Sequence, residues 1–308
     1  MNARIRDFFR TRQGWIFAVA DYSHPRGLRS LLRYVPDPDG ERQAGGRRYR
    51  KLDFDDAFGF LRQERPDWAL DLHTVPESEV ARIYQPSLGL DAVASRDERV
   101  ARIASILERG GVPRGQMGIT GSMLVGLNGP ASDIDFVVYG PEWWHARDIL
   151  SRAKRDGRID DLDEETWRKI YRKRKPEIGF EEFILHEKRK GNRGMVDGTY
   201  FDLLFTRDWS QISSSPQPSG RPAGEGRIEA RVVNAEFAFD SPAIYRLDHP
   251  QVKEIFCYSH TYAGQALPGE TIEAKGVMEE TAEGLRLVVG TTREARGEWI
   301  RSLSLLES

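Results

Sequence analysis

Two carboxylates, Asp133 and Asp135, stand one apolar residue apart at the head of the run Asp-Ile-Asp-Phe-Val-Val-Tyr. In a strand, alternate side chains share a face. The two acids then point the same way while Ile134 enters a core. Such a pair repels itself and resists desolvation unless a cation neutralises it. Magnesium suits that task, because it is hard, takes oxygen ligands and shares its shell with substrate phosphates. Upstream, a short apolar run ends in Gly121-Ser122. A Gly-Ser turn that opens a helix offers backbone N–H groups to an anion. The stretch Met117–Gly140 therefore reads as a metal–nucleotide site.

These groups need a scaffold, and the periodicity supplies one. Ser95 with Glu98 reads as a capping box for a helix over 96–109. Val100, Ile103, Ala104 and Leu107 line one face of it, and Gly110-Gly111 stop it. Strand 117–120, a short helix 122–127 and strand 133–139 follow. Pro141 opens a helix over 141–156. Asn128 and Ser132 shape the turn before the acidic strand.

Gly121-Ser122 followed by Asp133-x-Asp135 resembles the signature of the nucleotidyltransferase superfamily typified by DNA polymerase beta. Within it, the segment is similar to archaeal and bacterial "polymerase beta domain" proteins. The resemblance covers residues 96–210, about a third of the chain. It implies a third carboxylate on a later strand, best matched by Asp202 in Tyr200-Phe201-Asp202-Leu203-Leu204-Phe205. It also implies that Asp133, Asp135 and Asp202 are catalytic and hold two magnesium ions, with manganese an alternative. Gly121 would let the backbone approach a nucleoside triphosphate such as ATP, Ser122 would donate to a phosphate oxygen, and Asp202 is the candidate general base.

Basic residues flank this segment. Trp167–Lys175 contains six basic residues and no acid. It reads equally as a positive wall or as a solvated helix balanced by Asp160, Asp161, Asp163, Glu164 and Glu165. Lys188, Arg189, Lys190 and Arg193 arrive just ahead of Asp202 and read as nucleotide-binding through phosphates. His186 reads as an ordinary surface residue, with a phosphate contact the sharper alternative. Arg47-Arg48-Tyr49-Arg50-Lys51 interleaves an aromatic with cations, which suits a nucleic-acid backbone. A charged strand edge is the plainer reading of it.

The expected fold is α+β, with a mixed-sheet nucleotidyltransferase core between two flanking units. Residues 1–95 form a small α+β unit with strands at Trp15–Ala20 and Leu31–Val35, an amphipathic helix over 54–64, and an irregular connection from residue 76. Residues 96–212 form the catalytic domain with a basic insertion at 157–195. Residues 213–226, rich in Ser, Pro and Gly, read as a linker. Residues 227–308 alternate in short runs and read as an all-β, OB-like barrel. Tyr245, Phe256, Tyr258 and Tyr262 are its candidate base-stacking aromatics.

The formal net charge of −2 excludes a global field that would draw nucleic acid, so any such affinity is local. One cysteine, Cys257, rules out an internal disulfide and suits a reducing cytosol. Trp15–Ala20 is too short an apolar run to span a membrane, so a cytoplasmic protein with no membrane partner is expected. The expected activity is transfer of a nucleoside monophosphate from a triphosphate to an acceptor hydroxyl, with pyrophosphate released. The basic clusters and the β domain favour RNA or tRNA as the acceptor. A protein or small-molecule acceptor is the alternative, and an idle nucleic-acid-binding protein the second. Oligomeric state is not legible.

Overall fold

The computed structural model describes residues 2–130, 132–212, 220–292 and 294–307. Contacts divide the chain into two compact units, 1–160 with 192–216 and 161–191 with 217–308. This differs from the expected partition. Residues 1–95 share a unit with the segment that carries the acids, and most of the insertion clusters with the C-terminal β region.

The first unit opens with strands β1 (Phe8–Thr11), β2 (Ile16–Val19), β3 (Leu28–Pro36), β4 (Arg42–Ala44), β5 (Arg47–Lys51), β6 (His73–Val75) and β7 (Val80–Tyr84). They form one sheet in the order β4-β5-β3-β2-β1-β7, with β6 on β3. Helix α1 (Phe54–Glu64) starts where Asp53 accepts from the Asp56 N–H, as the sequence predicts. Its Ala57 and Leu61 pack with Phe9, Phe17 and Trp68 on one face of the sheet. On the other face, Phe8, Ile16, Tyr34 and Tyr49 pack against Val125 and Leu127, just beyond the Gly-Ser turn. Both faces are thus apolar, and separating the sheet from this unit would expose one of them to water.

Helix α2 (Pro86–Ala94) replaces the expected irregular connection, with Pro86 at its first position. It lies close on the next sheet: a Cβ at Gly118 would sit 2.7 Å from Pro86. Helix α3 (Glu98–Arg109) is capped by Asp97 rather than Ser95. The Asp97 carboxylate accepts from the Arg99 and Val100 N–H groups and is held by the Arg99 guanidinium.

The remaining elements of this unit are β8 (Met117–Ile119), α4 (Gly121–Leu124), β9 (Ile134–Tyr139), α5 (Glu142–Arg155), β10 (Arg193–Val196) and β11 (Thr199–Thr206). The sheet order is β10-β11-β9-β8, with β11 and β9 parallel. Phe136, Val137 and Val138 are fully buried, as expected of a central strand.

The second unit contains α6 (Glu164–Arg174), α7 (Phe180–Lys190), β12 (Arg221–Asn234), β13 (Ala243–Asp248), β14 (Val252–Cys257), β15 (Thr271–Thr281), β16 (Gly284–Val289), β17 (Trp299–Ser302) and α8 (Leu303–Leu306). The sheet runs β12-β13-β14-β16-β15-β17, and β12 also pairs with β15, so five strands return on themselves. β12 begins inside the expected linker because it pairs with β15 from Arg221 opposite Glu280. Residues 213–219 of that linker lie outside the described residues. Tyr245, Phe256 and Tyr262 are buried, so only Tyr258 of the four candidate stacking aromatics faces solvent.

Candidate active site

The acids meet through strand register. β11 runs parallel to β9 with Asp202 opposite Asp135 and Phe201 opposite Ile134. Paired positions share a face, so the two carboxylates project from the same side of the sheet. Asp133 lies one residue before β9 and is exposed. Burial first, then the negative charge of Asp202, pushes the Asp135 carboxyl up to about 6. Arg6 and Arg33 pull it back, and Asp133 pushes it up again. Asp135 therefore feels both of the other acids.

Gly121 is required here for two reasons. Its φ is +68°, the left-handed region, and a Cβ on it would lie 2.2 Å from Asp135 Oδ2. The carboxylate occupies the space that a side chain would fill. The backbone N–H of Thr120 donates to the Asp135 carbonyl at 2.9 Å, which fixes the Gly-Ser turn against β9. Ser132 closes the turn before Asp133: its Oγ accepts from the Gly129 N–H at 2.9 Å.

Arg193 takes a different role from the one its position suggested. β10 pairs antiparallel with β11, and Arg193 sits opposite Asp202. Its Nε donates to Asp202 Oδ1 at 2.8 Å. Burial opposes the charge on Arg193, but Asp202 and Tyr200 more than offset this and raise its pKa. The guanidinium is thus bound to the third acid rather than presented to a nucleotide.

Lys188, Arg189 and Lys190 fall in the second unit, on α7. Arg189 bonds Glu270 and donates to the Gln265 carbonyl at 2.6 Å. Lys190, only 2% exposed, donates to Glu187 Oε1 and to the Thr261 carbonyl, both at 2.6 Å. Both cations are consumed by internal partners, which corrects their expected role in binding phosphate; Lys188 is exposed. His186 is buried rather than superficial. Its Nε2 accepts from the Ser302 N–H at 3.0 Å, and desolvation pushes its pKa down to about 4. On α6, Arg168 and Lys169 pair with Glu164 and Glu165 one turn earlier, the solvated-helix alternative.

Sequence reasoning missed the contribution of the N-terminal sheet. Arg6 adopts φ 80°, and its carbonyl accepts from Thr120 Oγ1 at 2.6 Å. Its Nε is buried with no hydrogen-bond partner. Arg42 Nη1 reaches Ser132 Oγ at 3.4 Å. Nothing local marks these arginines, because their approach depends on how β1–β7 pack against the Val125–Leu127 segment.

The donor chemistry fits a hard divalent cation: Asp135 and Asp202 sit opposite each other on one face of the sheet, burial pushes Asp135 up, and the lack of a side chain on Gly121 lets the Asp135 carboxylate lie against the turn. The side chains are arranged as a charge-balanced cluster, however. Among the described residues, no group of three or more His, Cys, Asp or Glu side chains is placed to hold a metal ion. Also among the described residues, no helix is long and apolar enough to cross a membrane.

Residues 100–190 match the nucleotidyltransferase domain family, a span that includes Gly121, Ser122, Asp133 and Asp135. The chain is 38% identical to the uncharacterized protein MJ1086 of Methanocaldococcus jannaschii, across 98% of this chain and 99% of that one. No solved structure matches it.

Proposed function

Since this chain belongs to the polymerase beta-like nucleotidyltransferase superfamily, we propose that it transfers a nucleoside monophosphate from a triphosphate to an acceptor hydroxyl. The observation that carries this reading is the register of Asp202 against Asp135, with Asp135 seated against the side-chain-free Gly121. Asp133, Asp135 and Asp202 would hold magnesium, or manganese, which when bound neutralises the triphosphate and lowers the pKa of the attacking hydroxyl. The acceptor oxygen forms a bond to the α-phosphorus, and the bond to the bridging oxygen breaks. Pyrophosphate leaves, and the hydroxyl proton passes to Asp202. Gly121 lets the triphosphate approach the backbone, and Ser122 donates to a phosphate oxygen. Arg6 and Arg33, whose charges already act on Asp135, add positive potential where negative charge accumulates.

RNA is the favoured acceptor. The five strands that close β12 onto β15 support an OB-type barrel, an architecture suited to oligonucleotides. The experiment combines purified protein, magnesium, each labelled triphosphate, and pooled tRNA, total RNA, protein or small-molecule acceptors. Labelled RNA is expected with wild type and none with Asp133→Asn or Asp135→Asn. Transfer at wild-type rate by either variant would refute the mechanism.

A further inference from the structure

The first unit contains a cavity of about 910 Å³ that is separate from the acids. That is the upper range of ligand-sized pockets. Met123–Gly126, the segment that leaves the Gly-Ser turn, forms part of its wall, with residues of β1, β2, β4, β5, β7 and α2 and of the loops beside them. Every ionisable side chain in its lining is a cation or a tyrosine. Arg10, Arg12, Arg47, Arg82 and Arg96 line it, and no Asp or Glu does.

The absence of acids is informative against the rest of the unit. Arg29, Arg65, Arg99 and Arg114 each hold a carboxylate at 3.0 Å or less. In contrast, no ion pair among the described residues joins any of the five cavity arginines to a carboxylate. Arg82 instead lies over the Tyr84 ring, 4.7 Å from its centroid. Five guanidinium groups around one cavity raise a local positive potential that attracts a polyanion, most strongly at low salt. The guanidinium fork binds phosphate oxygens in pairs.

We propose that this cavity binds the phosphate backbone of a single-stranded RNA segment and so holds the acceptor strand near the Gly-Ser turn. The identification of that segment as the acceptor rests on the transferase reading above; the binding itself does not.

The test is fluorescence anisotropy with a labelled eight-nucleotide oligoribonucleotide, in chelator without magnesium, across a salt series. Arg47 and Arg82 are exposed, so their replacement leaves the fold intact, which a thermal melt checks. The double variant Arg47→Ala/Arg82→Ala should weaken binding about tenfold and lower the log–log salt slope by about 1.4, the release expected for two single-strand phosphate contacts. Arg47→Lys/Arg82→Lys should restore most of the affinity, and Arg62→Ala, at an exposed arginine outside the lining, should leave it unchanged. Tripolyphosphate and ATP, the free sources of the same charge, should displace the oligonucleotide only at much higher concentration. Wild-type affinity in the alanine variant, or displacement by tripolyphosphate as effective as by the oligonucleotide itself, would overturn the proposal. Oligonucleotide binding that depends on the arginines, in a protein that labels no acceptor, refutes the transferase reading and leaves the cavity assignment standing. RNA labelling indifferent to these arginines does the reverse.

Discussion

Asp202 stands between two neighbours of opposite kind: Asp135 faces it across the parallel strand, and Arg193 across the antiparallel one, with Nε 2.8 Å from its Oδ1. The third acid therefore carries its own counter-cation. A bound cation would have to share Asp202 with it.

Breaking this pair should be costly in a specific way. Arg193 is 6% exposed in its side chain, and Arg193→Met removes the guanidinium bonded to Asp202, at about 3 kcal/mol of stability. Adding Asp202→Asn should recover part of that loss. Denaturant melts of the two single variants and the double variant read the coupling directly, and additive losses would show that the pair is energetically idle.

Gly121→Ala should damage both fold and site. The left-handed backbone costs alanine about 1–2 kcal/mol, and the new Cβ meets Asp135 Oδ2. The expected outcome is a lower melting temperature together with lost nucleotide transfer. The check pairs calorimetry with the labelled-triphosphate assay.

Asp7 should impose a pH dependence on stability. It is 1% exposed, and burial first of all raises its pKa to about 7, against lowering by the Arg4 N–H and charge. The folded value lies above the unfolded one, so the folded state takes up a proton as pH falls. The stability gained this way is complete below about pH 4 and is lost as pH rises through 7. Asp7→Asn should therefore gain on wild type between pH 4 and pH 8, by as much as about 4 kcal/mol. Urea melts at the two pH values measure the difference, and a constant difference would contradict the buried-acid account.

Lys190→Met should unfold the second unit rather than weaken triphosphate binding. The ammonium is buried between Glu187 and the Thr261 carbonyl. Its removal takes the 2.6 Å ammonium contact from Glu187, which is 2% exposed and also lies 3.5 Å from Arg174. A loss of about 3 kcal/mol is expected. Triphosphate affinity measured on the remaining folded protein should match wild type.

Much of the site was legible because its parts are close in the chain. Asp133 and Asp135 are two residues apart at the head of one strand, and the turn chemistry at Gly121-Ser122 needs only a few residues. The same holds for α1, whose cap and apolar spacing lie within a dozen positions. The cap of α3 and the helix over 86–94 were missed where two local signals competed: Ser95 against Asp97, and a proline read as a break against a proline that opens a turn.

By itself the sequence determined which residues can carry the chemistry, because spacing along one strand or turn is a local property of the backbone. Only the tertiary structure decided how distant groups are used. The register of β11 against β9, the pairing of Arg193 with Asp202, the burial of Lys190 and His186, and the approach of Arg6 and Arg42 all join residues far apart in sequence. A cation's composition is the same whether it faces a nucleotide, a carboxylate or a core; packing alone settles which partner it meets and how much water remains around it.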